Sequence, residues 1–306
     1  MQNALTLISL VLPIFLVIFI GIVLRYLNII TLEYNKISSK IIFNIALPLF
    51  LFKKISENNY TFEGSAGFIL FAVVSTIIFF VLMWIVASLF KLSNEVRGVF
   101  IQGAFRGNYA IVGLALISSV LDHDSLVKSA MLIAFVLPLY NILAVIALAY
   151  PSKNVKGNFI KDILINPLVI SVIIAFALNG IGFKTPQVID QTIGYIAALT
   201  LPLALISIGA SFSISEIKNI SKSAVYSTLF KLVLQPLLFT PIAFYLGFTQ
   251  EEIIILFIFF ACPTAIASYI MAEAMNRDGQ LAGSIVALST LLSIITISIG
   301  LYLLML

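Results

Sequence analysis

Apolar runs of about 20 residues, each long enough to cross a bilayer as a helix, recur ten times along this chain. They fall roughly at 4–24, 37–55, 66–90, 98–120, 127–150, 160–180, 191–213, 223–247, 252–275 and 281–305, with short polar loops between them. Strands of a membrane barrel would alternate in segments of ~10 residues instead. The pattern therefore predicts an all-α integral membrane protein of about ten transmembrane helices, the first of them retained because its apolar run is too long for a signal peptide. Two spans break the pattern. IQGAFRGNYAIVGLAL (101–116) carries an arginine, three glycines and an asparagine, and FFACPTAIASYIMAEAMNRD (259–278) carries a proline with Thr264 and Ser268. A helix broken inside a membrane frees N–H and C=O groups, which is tolerable only where they line a cavity or bind something.

The two interrupted spans are the fourth and the ninth, and the longest polar break, PSKNVKGN (151–158), lies at mid-chain. Pro13 and Pro48 find counterparts in Pro167 and Pro202, both 154 residues on (167 − 13 and 202 − 48), and Glu95 finds Glu251 at 156 (251 − 95). Prolines are common in membrane helices, so a chance match is the competing reading; the shared Leu-Pro-Leu and the equal span count favour a repeat. Five spans per half is odd, so a second copy must enter the membrane from the opposite side, an arrangement typical of transporters. The expected organisation is a first five-helix repeat at 1–150, a cytoplasmic linker at 151–158 and an inverted second repeat at 159–306.

Composition agrees: 61% of residues are hydrophobic and 10% charged, with mean hydropathy +1.16, where soluble domains carry about 25% charge. The net charge of +4 reflects loop topology rather than a nucleic-acid partner. Loops after odd-numbered spans hold Arg25, Lys36, Lys40, Lys91, Arg97, Lys153, Lys156, Lys161, Lys218, Lys222 and Arg277; loops after even-numbered spans hold only Lys53, Lys54, Lys128 and Lys184. Positive loops stay in the cytoplasm, so a plasma-membrane (bacterial inner-membrane) protein with both termini extracytoplasmic is expected.

Chemistry is sparse. The single cysteine, Cys262, excludes an intramolecular disulfide and a cysteine metal cluster. The single histidine, His123, sits between Asp122 and Asp124 in what reads as a solvated loop. No metal site and no cofactor are expected. Neither a carboxylate or histidine cluster nor a Ser/Lys pair marks the span ends, and no loop exceeds about a dozen residues. A membrane enzyme and a sensor with a soluble output domain are both disfavoured.

An ordered set of stretches resembles the auxin efflux carrier family, which contains plant PIN carriers and bacterial carriers of malate-like and malonate-like acids. These are FNIALPLFLF, GAFRGNYAIVGLAL, INPLVISVIIA, LPLALISIGASF, KLVLQPL and CPTAIASYIMAEAMNRD leading into ALSTLLSI. The likeness covers essentially the whole chain. It implies a five-plus-five inverted carrier with spans four and nine crossing at mid-membrane, and a scaffold of spans 1, 2, 6 and 7 through which a homodimer forms. It also implies a moving part of spans 3–5 and 8–10, and organic anions as substrates. One departure is notable: the family's Gly-x-Pro in span four reads Gly113-Leu114-Ala115 here. The break in span four must then rest on Gly107 and Gly113, within 107–115.

Candidate substrate-binding residues are Arg106, Asn108, Gly113, Pro263, Thr264 and Asn44. Arg106 lies nine residues past Arg97 (106 − 97), ~14 Å into its span at 1.5 Å per residue. A guanidinium there costs at least ~2.5 kcal/mol on insertion scales, so it faces a cavity or partner, bonds freed carbonyls, or snorkels to the surface. Asn108 offers both donor and acceptor to a carboxylate, or caps a half-helix. Pro263 restricts Cys262 and removes a donor. Asn44 and Asn141 sit near Pro48 and Pro138 and could satisfy carbonyls freed there. Lys231 and Glu273 are candidates for coupling or charge balance, against snorkelling for Lys231 and an interfacial position for Glu273. The function expected is a secondary transporter moving an organic anion by alternating access, potentially driven by membrane potential alone. The alternative is a sodium- or proton-coupled symporter or antiporter on the same architecture.

Overall fold

The computed structural model describes residues 4–56, 66–149, 167–212 and 220–305. The linker expected at 151–158, with Lys153, Lys156, Lys161 and Lys218, lies outside the described residues, as does the side chain of Glu273.

All regular structure among the described residues is helical. The helices are α1 (Ala4–Tyr26), α2 (Leu32–Ser56), α3 (Ala66–Leu89), α4a (Asn94–Phe105), α4b (Tyr109–Val120) and α5 (His123–Ala149). They continue as α6 (Pro167–Gly180), α7 (Gln187–Ala210), α8 (Lys222–Tyr245), α9a (Gln250–Ala261), α9b (Ile266–Ala274) and α10 (Gly279–Leu304). Six of them, α2, α3, α5, α7, α8 and α10, are long and apolar enough to cross a membrane, and shorter apolar helices occur at Leu12–Tyr26, Tyr109–Val120 and Pro167–Gly180. This is a multi-pass membrane protein. Helices α3, α4a and α5 begin at 66, 94 and 123, and α8, α9a and α10 begin 156 residues later (222 − 66, 250 − 94, 279 − 123).

Prolines shape two of the long helices. Pro48 in α2 and Pro236 in α8 each follow a widened turn, at Ile42–Ala46 and Phe230–Leu234. A proline has no N–H and its ring collides with the carbonyl four residues back; one extra residue in the preceding turn gives that carbonyl room.

Helix α1 packs along α7, and α2 packs along both α6 and α7. The α1–α7 contact depends on glycine: a Cβ on Gly21 would fall onto the carbonyl oxygen of Ile206, and one on Gly209 onto that of Ile18. Small residues allow such close approach where lipid offers no hydrophobic drive for helices to associate. Gly209→Leu is therefore expected to destabilise the protein by ~1–3 kcal/mol or more through overpacking. Thermal unfolding in detergent checks this, and an unchanged midpoint would show that the crossing is looser than described. A second packed group contains the remaining helices: α4a lies against α3, α5, α8 and α10, and α10 against α8, α9a and α9b. The interrupted helices thus sit inside this second group, with almost every residue of α4a from Gly98 and of α9a from Ile253 buried.

Candidate functional site

Helix α9a starts with a capping box between Thr249 and Glu252 and stops at Ala261. The stop follows from Pro263. The residue before a proline is pushed out of the helical region, and Cys262 has φ −53 and ψ 140. Proline also supplies no N–H for the carbonyl of Phe259. Helix α4a stops at Phe105 without any proline, Arg106 turning extended at φ −87 and ψ 99. The tertiary structure supplies the reason. The Asn108 N–H donates to the Pro263 carbonyl at 2.7 Å, and the Ala265 N–H donates to the Arg106 carbonyl at 3.0 Å. Gly107 and Thr264 face each other as a one-pair antiparallel bridge. Each broken chain satisfies the polar groups that the other releases, as buried backbone requires. The break in α4 thus lies at 106–108. Gly113 closes the widened first turn of α4b, where an added Cβ would strike the Tyr109 ring.

Side chains take up what the backbone pairing leaves. The Thr264 hydroxyl donates to the Gly103 carbonyl at 2.7 Å, while the Thr264 N–H donates to Ser289 Oγ on α10 at 3.0 Å. That turn of the N–H deprives the Phe260 carbonyl of its helical donor. Lys231 Nζ replaces it, donating to that carbonyl at 2.8 Å and to Gln235 Oε1 at 2.7 Å. Lys231 has no exposed surface, so it does not snorkel; it reaches the back of the crossing, 3.1 Å from where a Gly107 Cβ would stand.

Arg106 is also buried, at 3% exposure. Its Nη2 donates to Asn141 Oδ1 at 2.6 Å, its Nη1 rests on the Met271 sulfur of α9b, and its Nε has no partner. It therefore neither reaches the surface nor caps a backbone carbonyl. Gln102, one turn earlier on α4a, points its amide at the same sulfur. In an extended segment alternate residues face opposite sides, which places Arg106 and Asn108 on one side of the bridge and Lys231 behind Gly107 on the other. Asn108 is buried, at 8% exposure. Neither Arg106 nor Lys231 has a carboxylate partner among the described residues; two interhelical ion pairs, Lys53–Asp190 at 2.9 Å and Lys128–Glu252 at 3.4 Å, lie near helix ends.

The structure brings together Arg106, Asn108, Pro263, Thr264 and Lys231. It places Asn44 elsewhere, exposed on α2 and donating to the Lys40 carbonyl at 2.8 Å. Ser268 is buried on α9b with its hydroxyl unpartnered. Asp122 accepts the Ser125 N–H at 3.0 Å at the start of α5, which holds its carboxyl below the usual range. No metal-holding cluster occurs among the described residues. Met271, Gln102 and Ser289 were not singled out by the sequence, because each acquires its polar role only from a helix distant in the chain.

Comparison with known proteins gives the family of the chain. The family described as "Membrane transport protein" matches residues 6–157 and 152–301. A Rhizobium meliloti (strain 1021) protein named "Putative malonate transporter" is 28% identical over 308 residues, covering 96% of this chain and 95% of its own. An uncharacterized transporter of Methanocaldococcus jannaschii is 22% identical, covering 94% and 96%. The uncharacterized transporter YfdV of Escherichia coli (strain K12) is 23% identical, covering 86% and 87%. The chain belongs to this membrane transport family, the auxin efflux carriers, and is a transporter rather than an enzyme.

Proposed function

We propose that this protein is a secondary carrier that moves an organic anion, a carboxylate, across the plasma membrane by alternating access at the α4–α9 crossing. The observation that carries this reading is the pair of buried cations, Arg106 and Lys231, flanking the paired breaks with no carboxylate opposite them among the described residues. Buried charge without a counter-ion is costly, and an anion entering beside Asn108 and Arg106 would relieve that cost. The half-helices α4b and α9b both begin at the crossing, and helix N-termini carry partial positive charge that favours a carboxylate. The named malonate relative points to the same class of substrate.

In this reading ten spans form two inverted five-helix repeats, 1–150 and 159–306, joined by a cytoplasmic linker, with both termini outside. The repeated 156-residue spacing of helix starts supports that organisation. A homodimer would form through α1, α2, α6 and α7. A monoanion gains about 2.3 kcal/mol per 100 mV from the membrane potential, enough for roughly 50-fold export without a coupled ion. Sodium or proton coupling on the same architecture is the second reading, favoured only by the carbonyl oxygens gathered at the breaks.

The test is charge movement by the purified protein in liposomes on a solid-supported membrane, with mono- and dicarboxylates and with sodium or pH jumps. Saturable carboxylate currents are expected, reduced at least ~10-fold in Asn108→Ala by loss of hydrogen bonds to a charged group. Currents from sodium or proton jumps alone, with silence for every carboxylate, would replace the anion reading with the cation-coupled one.

A further inference from the structure

Arg106 is held in a way that ill suits a purely structural arginine. A guanidinium has five donors in a planar fork made for a carboxylate. Here one arm meets the Asn141 amide oxygen, the other meets a thioether, and Nε meets nothing. Sulfur is a weak acceptor, and Gln102 also spends its amide N–H on it while its Oε1 stays unpartnered and buried. Two strong polar groups, Gln102 on α4a and Arg106 just past its end, both buried, thus converge on the Met271 side chain, which is only partly buried. Methionine is unbranched, with three rotatable bonds, and repacks readily.

We propose that Arg106 is a second anchor selective for dicarboxylates, covered by Met271, whose thioether the substrate's second carboxylate displaces. The inference rests on the crossing being the anion site. Asn108 and Arg106 are two residues apart on one side of an extended segment, roughly 6–7 Å along the backbone, so the two ends of a short diacid can engage them together. A monocarboxylate held by Asn108 leaves Met271 in place and Arg106 on its weak acceptor. A diacid replaces that acceptor with a charge-assisted, bidentate pair, the stronger kind of hydrogen bond.

The test compares matched pairs, succinate with butyrate and malonate with propionate, on the full-length protein in liposomes at zero membrane potential. The KM of the diacid is expected to lie about tenfold or more below that of the monoacid. In Arg106→Gln this ratio should collapse toward 1. In Met271→Leu, a volume-conserving change that removes the competing sulfur, it should widen about threefold. Because Met271→Leu keeps Arg106, it decides the matter even if Arg106→Gln fails to fold. Equal KM values for diacid and monoacid, or a ratio that Met271→Leu leaves unmoved, overturn the proposal while leaving the carrier reading intact. Absence of saturable current for all four acids overturns the carrier reading itself.

Discussion

Lys231→Met is expected to lower the melting temperature in detergent and to remove anion-driven current. The ammonium is fully buried and donates to the Phe260 carbonyl and to Gln235 Oε1. The Phe260 carbonyl has no helical donor to fall back on, since the Thr264 N–H is committed to Ser289 on α10. Methionine is about as long as lysine but donates nothing, so two buried acceptors lose their partner at ~1–3 kcal/mol each. The opposing term is relief from burying a charge that no carboxylate among the described residues balances. We expect the lost donors to dominate, because the carbonyl end of α9a and the Gln235 amide are already arranged around the ammonium in place of water. Differential scanning fluorimetry of the solubilised protein decides the sign. A variant that melts above the wild type would mean that desolvation of the ammonium outweighs its two hydrogen bonds.

Gly107→Val strikes the same point from the other chain. A Cβ at Gly107 would stand 3.1 Å from Lys231 Nζ and 3.4 Å from Cys262 Cβ. Alanine requires the ammonium to yield by a few tenths of an ångström; valine adds two methyl groups to that contact. The neighbours cannot withdraw easily, since Lys231 is held by two hydrogen bonds and Cys262 is fixed between Ala261 and Pro263. Overpacking of a tight core costs ~1–3 kcal/mol. Here it falls on the bridge that pairs Arg106 and Asn108 with Ala265 and Pro263. Carboxylate current is expected to fall by about 10- to 100-fold, with Gly107→Ala intermediate. Wild-type current in the valine variant would show that the crossing does not need this close approach.

Much of the architecture was readable from hydropathy. The apolar runs coincide with helical segments whose ends are displaced by a few residues, six of these helices being long and apolar enough to cross a membrane and α6 being described from Pro167 onward. Pro263 announced the break in α9 through its own chemistry, because a missing N–H and a restricted preceding residue are local properties. The break in α4 was placed only within 107–115, and there the local signal ran out. Ala115, standing where the resemblance led us to expect proline, is simply helical. What interrupts α4 at 106–108 is a partner: the Pro263 carbonyl and the Ala265 N–H offer its chain hydrogen bonds that a continuous helix would forgo. Lys231 and Arg106 could each have reached for the surface on long side chains. Neither does, because acceptors 29 and 35 residues away in sequence hold them inside.

Membrane character, the placing of the apolar helices and the position of one break are therefore written in the chain, since they depend on burying apolar length in lipid and on what a proline cannot do. The second break, the inward turn of both cations and the Met271 cover over Arg106 exist only in the tertiary structure. They arise where two released backbones meet, and a buried polar group takes whichever partner the fold brings within hydrogen-bond distance.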